Sequence, residues 1–488
     1  MTEGRHKLRS GAGPMTPMLL LALLAIYLCY TYCYRDILWT MEHGLEFWNA
    51  LFDGQIMDFY QRCIDKCTVP AVYNMSLYIV FAVWNLPCWI IGRITHTNPM
   101  SSGLALYYCK TMVLVAYFYS LKIMKRIFTA TDKENDKPLS PDTKMYFYAT
   151  SLFMLIYALF VGQYDIISLL FILLGIEALL GGRQLKCFVF FAIAVSMKYF
   201  AVFLIIPVIL LYEKRILYIV RNLLAVLSVD AVEKFIFRPD QVNSATEYGS
   251  RYTAAHLIQG LGSYGTTVNT GTGVVSAFIC IYAAVCIYCY LCSASSGRKL
   301  TDNLIYVSFV VWGSLFLIYG CCSYWLVLWV PFICLLMLRS RKLLSINILL
   351  EMLMTVSLFT VKLYSEDWVV GNERTIRGDN HAIVNMFLSG VLGWKTPAVI
   401  ENLGQVIMNV NDNSFPFMNI VSSFVIVSFI ALCVINFPGD AIQSRIHGID
   451  AKVIDPNKLI IIRNAIEVVI ALIPMSLYFI QYAAANIY

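Results

Sequence analysis

The sequence predicts an all-α, polytopic membrane protein of about 12–14 transmembrane helices, some of them short or re-entrant. Three observations predict it. Of 488 residues, 59% are hydrophobic and only 14% charged, against about 25% charged in soluble globular chains. Apolar runs of about 20 residues, long enough to cross a hydrocarbon core of about 30 Å, recur along the chain. The runs do not show the alternating segments of about ten residues that a membrane β-barrel requires.

In chain order the runs fall at residues 16–34, 73–95, 104–121, 145–161, 164–182, 187–212, 216–236, 272–293, 302–320, 323–338, 343–361, 416–437 and 459–482. Residues 1–14 are basic and polar, and no small-residue cleavage site follows, so 16–34 is expected to be a retained first span. If every later run crossed once, the basic clusters at 122–144 and 183–186 would face outward, against the positive-inside rule. Two runs invite a break that removes the conflict. Residues 73–95 are interrupted by Asn85-Leu86-Pro87, and 187–212 is long and carries Lys198 at its centre. Both are expected to be re-entrant or half-length helix pairs.

That parse leaves three polar segments outside, 35–72, 237–271 and 362–415, each longer than a turn in a helical bundle needs. The first places Leu45, Trp48, Leu51, Phe52, Ile56 and Phe59 at helical spacing, with Glu46, Asn49, Asp53 and Asp58 between them, and predicts an interfacial helix. The chain divides into a membrane module at 1–215 with outer loop 35–72, and a second at 216–488 with outer loops 237–271 and 362–415.

The net charge of +6 comes from short clusters between spans, not from a groove for phosphates, so no nucleic acid is expected as a partner. Most of the 15 cysteines lie within apolar runs as small hydrophobes. Cys63 and Cys67 sit four apart in a polar loop and read as two unrelated thiols, with a disulfide as the alternative. A zinc pair would need two more ligands nearby, and none is obvious in the sequence.

Asp36 follows the first span directly, beside Arg35. It reads either as an interface carboxylate paired with its neighbour or as a general base at the bilayer surface, its basicity raised by partial desolvation. Glu42 and His43 lie two turns further on and are candidates for the same pocket. Gln163 and Asp165, in Val161–Asp165, join two apolar runs at a membrane face, as a plain turn or as part of a site. Lys198 is the strongest intramembrane signal, because insertion of a lysine at that depth costs about 2.5–3.5 kcal/mol. Snorkelling would explain it only if the helix breaks there. Arg374 and Arg377, with Asp379 and His381 in the late outer loop, form either a solvated cluster or a phosphate-binding fork.

The order of these features resembles the GT-C superfamily of integral-membrane glycosyltransferases, in particular the branches that use polyprenyl-phosphate sugars, such as bacterial mannosyltransferases. The resemblance rests on Asp36 just beyond span one, Gly54 with Tyr60, Gly162-Gln163-Tyr164-Asp165, and Lys198 with Pro207, and covers about residues 16–215. The family's Tyr-Pro-Pro after the first loop is absent; the chain has "VYNMSLY" there. The resemblance implies an inverting transfer of a hexose, such as mannose, from a polyprenyl-phosphate donor to a lipid or glycan acceptor, in a bacterial plasma membrane. Asp36 would be the base, with Glu42 and His43 beside it. Lys198, Gln163, Asp165, Arg374 and Arg377 would hold the donor phosphate. No cofactor is required, although Asp36, Glu42 and His43 are a possible divalent-metal set in such families. Two other classes stay open: a lipid-linked-glycan transporter or flippase, and an O-antigen polymerase- or ligase-like membrane protein.

Overall fold

Apolar sequence of this density satisfies its backbone internally, as helices, wherever water is scarce. The computed structural model describes residues 15–32, 34–132, 139–263, 265–271, 273–292, 297–340, 342–366, 393–395, 403–413, 417–439 and 455–487. Among them the only strands form a hairpin, β1 (Thr267–Thr270) against β2 (Gly273–Ser276), antiparallel with Val268 opposite Val275. All other regular structure is helical.

The first helices build one end of the molecule. α1 (Met15–Thr31) turns by 78° into α2 (Arg35–Phe52). After α3 (Phe59–Lys66), α4 (Met75–Thr95) runs parallel to α2. His43 meets Tyr78 edge-on at 5.2 Å, Trp48 donates to Ala82 O at 2.8 Å, and Phe52 stacks on Trp89 at 4.9 Å. The close approach needs Gly44, where a Cβ would stand 2.9 Å from the Phe81 backbone. α4 is one continuous helix with Pro87 inside it, so the break expected at 85–87 does not occur. Proline removes a single backbone hydrogen bond, and a helix packed along its length tolerates that loss.

α5 (Gly103–Asp132) begins beside the end of α1, where Tyr30 and Thr111 hydroxyls meet at 2.6 Å. Its 30 residues continue well past the expected limit at 121 and carry Lys122, Lys125 and Arg126 on helix rather than on a loop. These basic residues lie about 18–24 Å along the axis from Lys110. α6 (Pro141–Ala149) and the π-helical turn Met154–Phe160, bent by 63°, lead to α7 (Asp165–Leu180). The run expected to break at Lys198 does so, into α8 (Gln184–Met197) and α9 (Ala201–Tyr212).

α10 (Ile216–Phe237) is a helix but not a purely apolar one. Its Asp230 accepts from Asn74 Nδ2 at 2.6 Å and its Glu233 from Ser196 Oγ at 2.8 Å, which ties it to α4 and α8. The short helices α11 (Pro239–Asn243), α12 (Glu247–Ser250) and α13 (Ala254–Ser263) precede the hairpin. α14 (Ala277–Leu291) follows, then α15 (Gly297–Ser314), which continues through a π-helical turn to Gly320. A 3-10 turn (Ser323–Leu328) leads into α16 (Val330–Met337), and α17 (Leu344–Ser365) packs against α18 (Leu403–Asn413) and α19 (Met418–Ile435).

α20 (Pro456–Ile487) is fastened by a buried ionic knot. Arg463 pairs with Glu351 at 2.5 Å and Glu467 at 3.0 Å and donates to Phe147 O at 2.8 Å, while Glu467 accepts from Leu152 N. One hydrophobic cluster runs from Leu21 to Tyr482, through both halves of the chain.

Among the described residues five helices are long and apolar enough to cross a membrane, or seven if each bent pair is one span. This is a helical membrane protein; the 12–14 helices expected include short and re-entrant ones, which a count of long apolar helices among the described residues leaves out. Residues 154–160 and 330–337 are buried by other helices. The amphipathic reading of 35–72 also shifts. Leu45 and Phe59 are interior, Leu51 and Phe52 are exposed, and Glu46, expected on the wet face, is buried against Arg62 at 2.6 Å.

Candidate active site

Two chain reversals meet at the end of α1, and a buried lysine joins them. Lys110 Nζ donates to Tyr32 O and, at 3.1 Å, to Phe160 O. Tyr34 N donates to Val161 O at 3.2 Å, and the Tyr32 and Phe160 rings stack at 4.6 Å. One reversal starts α2, with Asp36 in its first turn; the other starts α7, with Gln163 and Asp165. The clamp brings residues 127 apart in sequence into contact: Gln163 Nε2 donates to Asp36 Oδ2 at 3.1 Å. Lys110 lies within the apolar run 104–121, so the signal that marked Lys198, an ionisable residue in such a run, was present for it too.

Gly162 makes the second reversal possible. Its φ is +81°, and a Cβ there would lie 2.6 Å from Lys110 Cε. Gly162→Ala combines a left-handed backbone cost of about 1–2 kcal/mol with displacement of the lysine from its two carbonyls. It is expected to lower the melting temperature by several degrees. A variant that melts with the wild type would show that the Lys110 clamp is dispensable.

The α8–α9 break delivers Lys198. The residue is 3% exposed, so it does not snorkel to the surface. Its ammonium pairs with Asp165 Oδ1 at 2.9 Å and lies 4.9 Å from the ring centres of both Tyr73 and Trp325. Buried cations are held this way, by one opposite charge and by aromatic faces. The intramembrane lysine is therefore a paired one. Asp165 Oδ2 has no hydrogen-bond partner among the described residues.

A cleft of about 370 Å³, its open mouth included, lies against Asp36. Its wall includes His43, Tyr73, Tyr248, Tyr252 and Tyr324. Asp36 is part-exposed toward it. The surrounding wall strips water from the carboxyl and pushes it up to about 6, against the hydrogen bonds from Gln163 and Tyr324 and the field of Lys198. His43 is buried beside Val69 O at 2.8 Å, and burial pushes its imidazole down to about 4. Of these two groups Asp36 is the stronger base near neutral pH. Glu42 does not line the cleft; its carboxylate accepts from Thr68 N at 2.8 Å and fixes the turn after α3. Lys198 stands behind Tyr73 rather than on the wall. Arg374 and Arg377 lie outside the described residues, as does most of 362–415.

Of the candidates, the fold thus gathers Asp36, His43, Gln163, Asp165 and Lys198 at one end of the molecule and turns Glu42 aside. Tyr324, Tyr248 and Tyr252, from the second half of the chain, complete the cleft. Tyrosine is frequent here (31 residues), so composition gave no means of singling them out. Comparison of the chain with family models, with curated proteins and with solved structures gives no match.

Proposed function

We propose that the protein is an inverting membrane glycosyltransferase that moves a hexose, with mannose the first candidate, from a polyprenyl-phosphate donor to a lipid or glycan acceptor outside the cytoplasm. The observation that carries this reading is Asp36, a carboxyl pushed up to about 6 in an aromatic-walled cleft and oriented by Gln163. In the reaction the acceptor hydroxyl gives its proton to Asp36 as its oxygen bonds to the anomeric carbon. The bond from that carbon to the phosphate oxygen breaks, and the lipid phosphate leaves with the electron pair. Phosphate needs no protonation to leave, so positioning and a nearby positive charge suffice. Lys198 supplies that charge, with Arg374 and Arg377 as further candidates.

The tyrosine-rich lining of the cleft and its orientation agree with this chemistry. Lys122, Lys125 and Arg126 sit at the end of α5 away from the cleft. The positive-inside rule puts that end in the cytoplasm and the cleft at the opposite face.

The test is direct. Purified protein in detergent, given a panel of polyprenyl-phosphate sugars with a lipid acceptor, is expected to release free polyprenyl phosphate for one sugar. Absence of release across the panel, from protein shown to be folded, would remove the proposal.

A further inference from the structure

We propose that His43, Cys63 and Cys67 form a binding site for a thiophilic divalent cation of the zinc class. Their ligand atoms all lie within 4.8 Å of one another. Tetrahedral zinc, with bonds of about 2.0–2.3 Å, wants its ligands about 3.3–3.8 Å apart. Small side-chain rotations close that difference. The sequence could not show it, since His43 is on α2, twenty residues before Cys63, while Cys63 and Cys67 stand one turn apart at the end of α3. Both thiols are free, so neither is committed to a disulfide.

The surroundings fit a metal centre. His43 Nε2 lies 2.8 Å from Val69 O, the type of outer contact that fixes a ligating imidazole. Cys63 is fully buried and Cys67 half-buried, which leaves a way in for the ion from the Cys67 side. The bound cation would join α2, the end of α3 and the turn 67–73. That turn supplies Val69, Pro70 and Tyr73 to the cleft wall. The ion is thus a brace for the wall, and the site does not depend on what the cleft transforms.

The experiment uses the full chain, purified in detergent under reducing conditions and stripped with a chelator. Reloaded wild-type protein is expected to take up about one zinc per chain, to melt at a higher temperature with zinc than without, and with Co²⁺ to develop a thiolate-to-metal charge-transfer band. Cys67→Ser, at the half-buried position, is expected to weaken zinc binding at least about 100-fold and to abolish the band. No stoichiometric uptake by the wild type would overturn the site. So would uptake undiminished in Cys67→Ser, or a Cys63–Cys67 disulfide that persists under the reducing conditions.

Discussion

Asp36→Asn is expected to abolish sugar transfer and, at the same time, to make the protein more resistant to heat. The substitution keeps the shape and a hydrogen-bonding partner for Gln163 while it deletes the proton acceptor. Its surroundings push the folded carboxyl up to about 6 from an ordinary 3.8, so the fold disfavours its charged form. The penalty is absent below about pH 4, grows as pH rises, and is complete above about pH 6, so at neutral pH the native aspartate costs stability. A shift of this size corresponds to about 1–3 kcal/mol once its partial contact with water is allowed for. The asparagine variant should recover that amount above pH 6 and show no gain at pH 4. A variant that keeps wild-type turnover places the base elsewhere. One that loses turnover and also melts early assigns Asp36 a structural role.

The same titration sets a pH profile. With saturating acceptor, the wild-type rate at low donor is expected to be flat above about pH 6 and to fall tenfold per pH below it, as protonation removes the base. A flat profile down to pH 5 would conflict with Asp36 in this role.

What could be read in the sequence was the position of polar groups inside apolar runs, because burying them is costly and therefore informative. Lys198 and the break beside it are legible this way, while Asp36 is legible from its place just beyond the first run and Gln163 and Asp165 from the junction of two runs. What could not be read was the pairing. Nothing local says that Lys198 takes Asp165 as its partner, or that Glu42 turns toward Thr68 N while His43 one residue later enters the cleft. Tertiary packing also overrode local signals. Pro87 does not break α4 because α2 supports it along its length, and runs such as 330–337 are buried by protein. The joining of His43 to Cys63 and Cys67 depends on how α2 lies on α3, which no spacing rule encodes.

The pairing decides how Lys198 must be tested. Lys198→Met alone strands Asp165, a carboxylate that is 2% exposed, without its only charged partner among the described residues. Removing one member of a buried pair costs about 3–5 kcal/mol, so loss of activity in this variant is uninformative. Asp165→Asn alone strands the ammonium and should cost a similar amount. The double variant, Lys198→Met with Asp165→Asn, removes both charges and is expected to melt above either single variant, since it strands no charge and leaves only the buried asparagine amide, at about 1–3 kcal/mol. Donor binding separates the two roles of the lysine. If Lys198 only balances Asp165, the double variant binds donor as the wild type does. If it holds the leaving phosphate, donor affinity stays roughly 10–150-fold weaker in the folded double variant, the loss of one charge-assisted contact of about 1.5–3 kcal/mol. We expect the second result, because one ammonium has three N–H groups and Asp165 occupies one of them at 2.9 Å. Tyr73 OH, at 3.5 Å, is at the limit of a hydrogen bond, and its ring stands between the ammonium and the cleft, so a donor phosphate reaches Lys198 only by turning this ring aside.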